Sequence, residues 1–324
     1  MNTTVNEVCY HKIEGAYVKT LIIIFLGVTI NSINGMFVFI FFMDSIFYND
    51  PRYILYIHLV INDMIMTSVT VFLYMLSCFW PFLNVSFCSI LLIIASATHK
   101  NTPLTLAGMA IERYIAVCRP LHHPQICTVR RTHILIGLIW GVGLIPGVTD
   151  LIIVTATRPL SFFSVGALCR ASYIYNTIYH IEKNKAVQGI YMLFVWMVLV
   201  FTYCKVLVAA KKASTNAISA RKAQSTILLH GAQLMLCMLS YTTPILDLIL
   251  VPLFPMHQYH IFFFNYLLTN IIPRLLTPLI YGVRDQKFAA QIKAHFSSRS
   301  MIVTVEPAKS GKQIRVNPKQ NLHS

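Results

Sequence analysis

The sequence predicts an all-α membrane protein, a bundle of seven transmembrane helices. Three observations lead there. Of its 324 residues, 56% are hydrophobic and only 11% are charged, whereas a soluble domain carries about a quarter charged residues. Uncharged stretches of the roughly 20 residues needed to cross a bilayer recur along the chain. Lysine and arginine are unevenly shared between the segments joining those stretches.

Taken in order, nothing between Lys19 and Asp44 is charged, which places helix one near 20–43 and leaves 1–19 as an extracellular segment. No small-residue cleavage site follows a short apolar core, so no removable signal is expected. Helix two runs from about Tyr53 to Cys78 and carries Asp63. "FWPFLNVSFC" reads as a turn, broken by Pro81 and Asn84. Helix three spans Cys88 to about Val117, and helix four about His133 to Thr155. Helix five falls between Lys185 and Lys205, helix six over about Thr226 to Val251, and helix seven over about Ile261 to Val283. The helical domain therefore covers 20–283. The tail from Ser297 has no apolar period and reads as disordered.

With the N-terminus outside, the outer segments hold six Lys and Arg and the inner ones eighteen; Lys100 and Arg274 lie within helices. That bias puts the C-terminus in the cytoplasm. Asn2-Thr3-Thr4 and Asn84-Val85-Ser86 are glycosylation sequons, and both fall on the outer side. The net charge of +15 is thus mainly a topology signal. It fits a lipid bilayer as partner and argues against nucleic acid. Cys9, Cys88 and Cys169 face the oxidising side. A Cys88–Cys169 bridge would pin the long fourth-to-fifth connection over the bundle mouth; we expect it, against the alternative of three free thiols.

"MAIERYIAVCRPLHH", residues 109–123, ends helix three. Buried ionisable residues are costly and usually functional. Glu112 and Arg113 fit two readings: an anchor, with Arg reaching the headgroups and Glu neutralising it, or a lock whose Arg is released in another state. Composition does not separate these.

Here a resemblance enters. Glu112-Arg113-Tyr114, twenty-five residues after Cys88, resembles the Glu/Asp-Arg-Tyr motif of rhodopsin-like G-protein-coupled receptors, and "MAIERYIAVCRPL" resembles its olfactory-receptor version. Asn34, "PRYILYIHLVIND", Trp140, Thr202-Tyr203, "RKAQSTILLH" from Arg221 to His230 and "TPLIYGVRDQKF" line up with further landmarks of that family. The resemblance implies a short amphipathic eighth helix from about Asp285, so that 284–324 hold that helix and the tail. It implies a heterotrimeric G protein as partner, a small-molecule odorant as ligand, and Arg113, Tyr203, Pro278 and Tyr281 as parts of the activation switch. It also implies the plasma membrane. Thr277 stands in place of the family's Asn before the helix-seven Pro, and His122-His123 in place of a "PLxY" ending. These departures resemble a fish odorant-receptor group.

Amine receptors carry an Asp where this chain has Ala95, and visual pigments a Lys where it has Ile271. A small, partly apolar ligand held by packing and a few polar contacts remains. Candidate contacts are His99, Lys100, Tyr241 and Asp247, the last also readable as a solvated rim carboxylate. No cofactor or metal is expected.

Asp63 and Arg274 both lie about 15 Å from the inner face at a helical rise of about 1.5 Å per residue. In the family the helix-two Asp commonly holds sodium, and we expect the Arg274 guanidinium to replace that ion; the alternative is that Arg274 turns to a ligand or to water while Asp63 is neutral. Lys100 lies about 20 Å in and Asp150 about 25 Å in. Either they pair, and Lys100 is structural, or Lys100 beside His99 receives an anionic ligand. A transporter would show inverted repeats and interrupted helix pairs, and an intramembrane enzyme a nucleophile with its base or clustered metal ligands. The sequence shows neither. An orphan peptide or lipid receptor remains the alternative within the superfamily.

Overall fold

A computed structural model describes residues 2–80, 82–212, 235, 243–276 and 288–294. Its long helices are α1 (Asn2–Met43), α2 (Pro51–Phe79), α3 (Val85–Cys118), α4 (Val129–Thr157), α5 (Ile178–Lys212), α6 (Thr243–Leu253) and α7 (Gln258–Tyr266). The last continues through a π-turn, Leu267–Ile271, into helical residues 272–276. Among the described residues, Tyr17–Met43, Pro51–Leu76, Val129–Thr157 and Ile178–Ala209 are long and apolar enough to cross a membrane. The middle of α3 is more polar: His99, Lys100, Asn101 and Thr102 follow one another there.

The bundle shows apolar side chains on its outside as well as in its core. Leu21, Phe25 and Val28 of α1 are exposed, as are Ile134, Leu138, Ile145 and Ile152 of α4. So are Ile190, Leu193, Met197 and Val200 of α5. Spacings of three, four and seven put each set on one helical stripe, and such stripes need lipid around them. Asn34, Asn62, Asp63, Thr98, Asn101, Thr105 and Asp150 are buried instead. Small residues permit the close approach between helices: a Cβ on Gly143 of α4 would collide with the Asn101 side chain of α3.

Local chemistry sets the helix ends. Asp50 caps α2, accepting from Arg52 N at 3.0 Å, with Pro51 at the first helical position. Burial works to raise the Asp50 carboxyl, but the hydrogen bonds and charge of Arg52 outweigh it and hold it below the usual range. Asn84 caps α3 through Ser86 N at 2.9 Å, and Thr128 caps α4 through Arg131 N at 3.4 Å.

Three boundaries differ from the sequence expectation. Helix α1 starts at Asn2, well before residue 20. Helix α5 starts at Ile178 and includes Glu182, Lys183 and Lys185; Lys183 is paired inside the bundle, so its charge does not end the helix. The segment read as a turn contains a strand, β1 (Phe82–Asn84), paired antiparallel with β2 (Gly166–Leu168).

Beside this ribbon the Cys88–Cys169 disulfide joins the head of α3 to the connection leading into α5. Both sulfurs are buried in a cluster with Val85, Val154, Ile174 and Tyr175. At the opposite end, residues 288–294 are helical. Phe288 is fully buried there, against Phe37 of α1, Phe47, and Tyr53 and Tyr56 of α2. Gln291 Nε2 donates to Asp44 Oδ2 at 2.9 Å.

Candidate functional site

A chain of polar side chains runs through the interior from α7 to α5. Arg274 Nη1 donates to Asp63 Oδ1 at 2.5 Å, and both side chains are buried. Thr102 Oγ1 donates to the same oxygen at 3.1 Å. Asn62 Nδ2 donates to Thr102 Oγ1 at 3.0 Å and to Thr98 O at 2.9 Å, tying α2 to α3. The π-turn just before Arg274 inserts an extra residue into the helical register, which resets the face on which Arg274 emerges.

Farther out, Asp150 is ion-paired to Lys183. This departs from the Lys100–Asp150 pairing weighed above: the cation comes from α5. Lys100 Nζ instead donates to Ser96 Oγ at 2.6 Å and Ser96 O at 3.4 Å, on its own helix. Axial depth alone had suggested α3, but Lys183 also gains the carbonyl of Pro146 at 2.8 Å, a second anchor on α4. Pro146 lacks an N–H and cannot donate to Val142 O one turn back; the Tyr191 hydroxyl of α5 donates to that carbonyl at 2.7 Å. His180, fully buried, meets Asp150 O through Nε2 at 3.1 Å and Thr177 Oγ1 through Nδ1 at 2.6 Å, and stacks on Tyr175. With its proton on Nε2 the ring donates to the Asp150 carbonyl and accepts from the Thr177 hydroxyl at Nδ1.

Between α4 and α2, Trp140 Nε1 donates to His58 Nε2 at 3.0 Å. Thr105 Oγ1 lies 3.2 Å from His58 Nδ1 and donates to Asn101 O at 2.7 Å. The accepting Nε2 places the His58 proton on Nδ1, which donates to the threonine oxygen.

Near the C-terminal end of α3, Glu112 is buried and has two partners. His123 Nε2 lies 2.8 Å from Oε1, and Arg113 Nε lies 3.7 Å from Oε2. His123 opens a short helical turn, His123–Ile126. Arg131 Nη1 holds that turn against α4 by donating to Gln125 O at 2.9 Å and Ile126 O at 3.2 Å. Burial, then the Glu112 carboxylate, push the nearby Cys127 thiol up, so it stays neutral. Tyr114 packs on Phe201 of α5 with ring centroids 5.8 Å apart, and Tyr203 is on the exposed side of α5.

His99 lies on α3 beside Lys100, where the charges of Arg274 and Lys100 both bear on it. Asp247 lies on α6. Tyr241, Thr277, Pro278, Tyr281 and residues 221–230 fall outside the described residues. Sequence reasoning missed His123 and Lys183. The first had a signal in the His122-His123 departure; the second lay among charges taken for a loop.

Outward-facing apolar stripes and ion pairs buried between the helices make up a helical membrane protein, and comparison with known proteins gives its class. Residues 33–281 match the 7 transmembrane receptor (rhodopsin family), and the chain belongs to that family. Odorant receptor 131-2 of Danio rerio is 30% identical over 285 residues, covering 87% of this chain and 87% of the relative. Olfactory receptor 4F6 of Homo sapiens is 24% identical over 307 residues, covering 85% and 93%. Olfactory receptor 2H2 of Homo sapiens is 28% identical over 251 residues, covering 74% and 77%. The protein is thus a multi-pass membrane receptor and not an enzyme.

Proposed function

We propose that this chain is an odorant-type G-protein-coupled receptor: a small extracellular molecule enters the bundle from outside, and the inner face then engages a heterotrimeric G protein. The observation that carries this reading is the family match together with full-length relatives whose names are odorant and olfactory receptor. On this reading seven helices span the plasma membrane, the N-terminus is outside, and residues 288–294 belong to an eighth helix lying along the inner leaflet. Asn2 and Asn84 are then positioned for glycosylation, and the tail is cytoplasmic.

The switch follows from differential stabilisation, since a ligand moves an equilibrium only by binding one state better. Glu112 holds Arg113 in the resting state. Ligand binding favours the state in which Arg113 leaves Glu112 and, with Tyr203 and Tyr281, forms the docking cleft. Asp63 and Arg274 supply each other's counter-charge, so that the interior needs no sodium ion there.

Surface-expressed receptor, stimulated with a broad odorant panel, is expected to accelerate guanine-nucleotide exchange on a co-expressed olfactory G protein. Endoglycosidase treatment of intact cells is expected to shift its gel mobility, and Asn84→Gln to reduce that shift. Absence of exchange under every stimulus, or a topology probe that finds Asn84 in the cytosol, rejects the reading.

A further inference from the structure

Lys100 lies twelve residues beyond Cys88 and thirteen before Arg113 on α3, about 18 Å and about 20 Å along the axis. That is the middle of a hydrocarbon layer about 30 Å thick, where an uncompensated ammonium is expensive. The two described carboxylates at comparable depth are both engaged elsewhere: Asp63 with Arg274 and Asp150 with Lys183. Three cations therefore face two carboxylates. Among the described residues no carboxylate forms an ion pair with Lys100. Its ammonium rests on the hydroxyl and carbonyl of Ser96, one turn toward the outer side.

The Lys183–Asp150 pair decides the matter. Had Lys100 neutralised Asp150, it would be part of the scaffold. Because α5 supplies that cation, Lys100 is left, among the described residues, as an excess positive charge on a flexible stem, only partly buried. The charges of Lys183 and Asp150 both reach the Lys100 ammonium, with opposite signs, but they are spent on each other.

We infer that Lys100 is the anchor of the ligand pocket and that the ligand class is a small amphiphilic monoanion, a carboxylate with an apolar chain. This rests on the odorant-receptor reading and narrows it. The carboxylate takes a charge-assisted hydrogen bond from Nζ and a second bond from the Ser96 hydroxyl, while the chain packs on apolar side chains. Alcohols, esters and amines of the same length lack the complementary charge.

The test uses the full-length receptor at the cell surface, a G-protein readout, and straight-chain carboxylates from butanoate to decanoate beside the matching alcohols, methyl esters and amines. The carboxylates are expected to be more potent by at least about 30-fold. Lys100→Met is expected to abolish that preference at unchanged surface level, and Lys100→Arg to retain it with an altered optimum of chain length. If Lys100→Met does not reach the surface, the selectivity of the unmodified receptor and of Lys100→Arg decides. Surface loss in Lys100→Met that is rescued by Asp247→Asn assigns Lys100 to an internal ion pair and overturns the inference.

Potent alcohols or amines with weak acids overturn the anion assignment and leave the receptor reading standing. A silent panel is resolved by Glu112→Gln. Raised basal exchange in that variant means that only the anion assignment fails, and silence there as well means that the receptor reading fails with it.

Discussion

The imidazole of His123 is a closer partner of Glu112 than Arg113 is, at 2.8 Å against 3.7 Å. The carboxylate proposed to hold the resting state is shared between α3 and the connection that follows it. Arg113 therefore competes with a titratable ring for one carboxylate, and substitutions on either side should move basal signalling in opposite directions.

Removing His123 leaves both carboxylate oxygens to Arg113 and tightens the resting state. His123→Ala should lower basal G-protein exchange by about two- to five-fold, the scale of a partly exposed ion pair. Glu112→Gln should raise it. Basal exchange that stays level in both variants would contradict this account.

Asp63 and Arg274 should be needed together. Breaking a buried pair by removing one partner costs about 3–5 kcal/mol, so Asp63→Asn and Arg274→Met should each cut surface protein severely. The double substitution to Asn and Met should recover part of it. Agonist potency in sodium and in a bulky organic cation should agree within about two-fold; strong sodium sensitivity, lost in Asp63→Asn, counts against Arg274 as the counter-ion.

Lys183 and Lys100 should behave differently although both are lysines within helices. Lys183→Met leaves Asp150 unpaired and should deplete surface receptor, with an expected cost of about 3–5 kcal/mol. Lys100→Met breaks no described ion pair and should reach the surface. Flow cytometry of tagged receptors measures both; equal depletion would reject the distinction.

Cys88→Ser or Cys169→Ser should lose surface receptor, since removing a native disulfide costs about 2–5 kcal/mol. Cys9→Ser should not. Thiol labelling under non-reducing conditions should find Cys9 reactive in the unmodified receptor and one further reactive cysteine in either single variant.

Much of this was legible because a helix advances regularly. Counting residues put Asp63 and Arg274 at one depth, and hydropathy located the apolar spans. Counting carries no information about azimuth, which is why the partner of Asp150 was sought on α3 when it lies on α5. Charge was a poor guide to the start of α5: Lys183 reads as a loop residue until its carboxylate is known. The β1–β2 ribbon escaped because three-residue strands are too short for an alternating pattern to register. His123 escaped because its position depends on Arg131 anchoring a short turn, a tertiary contact with no periodic trace.

The ring of Phe288, enclosed by Phe37, Phe47, Tyr53 and Tyr56, moors the chain beyond the bundle to its α1–α2 side. A fluorophore attached at the exposed position 293 would ride on that flank. Paired with a second dye on the connection after α5, it would read displacement of the far side directly, giving a built-in ruler for receptor opening that does not depend on any downstream enzyme.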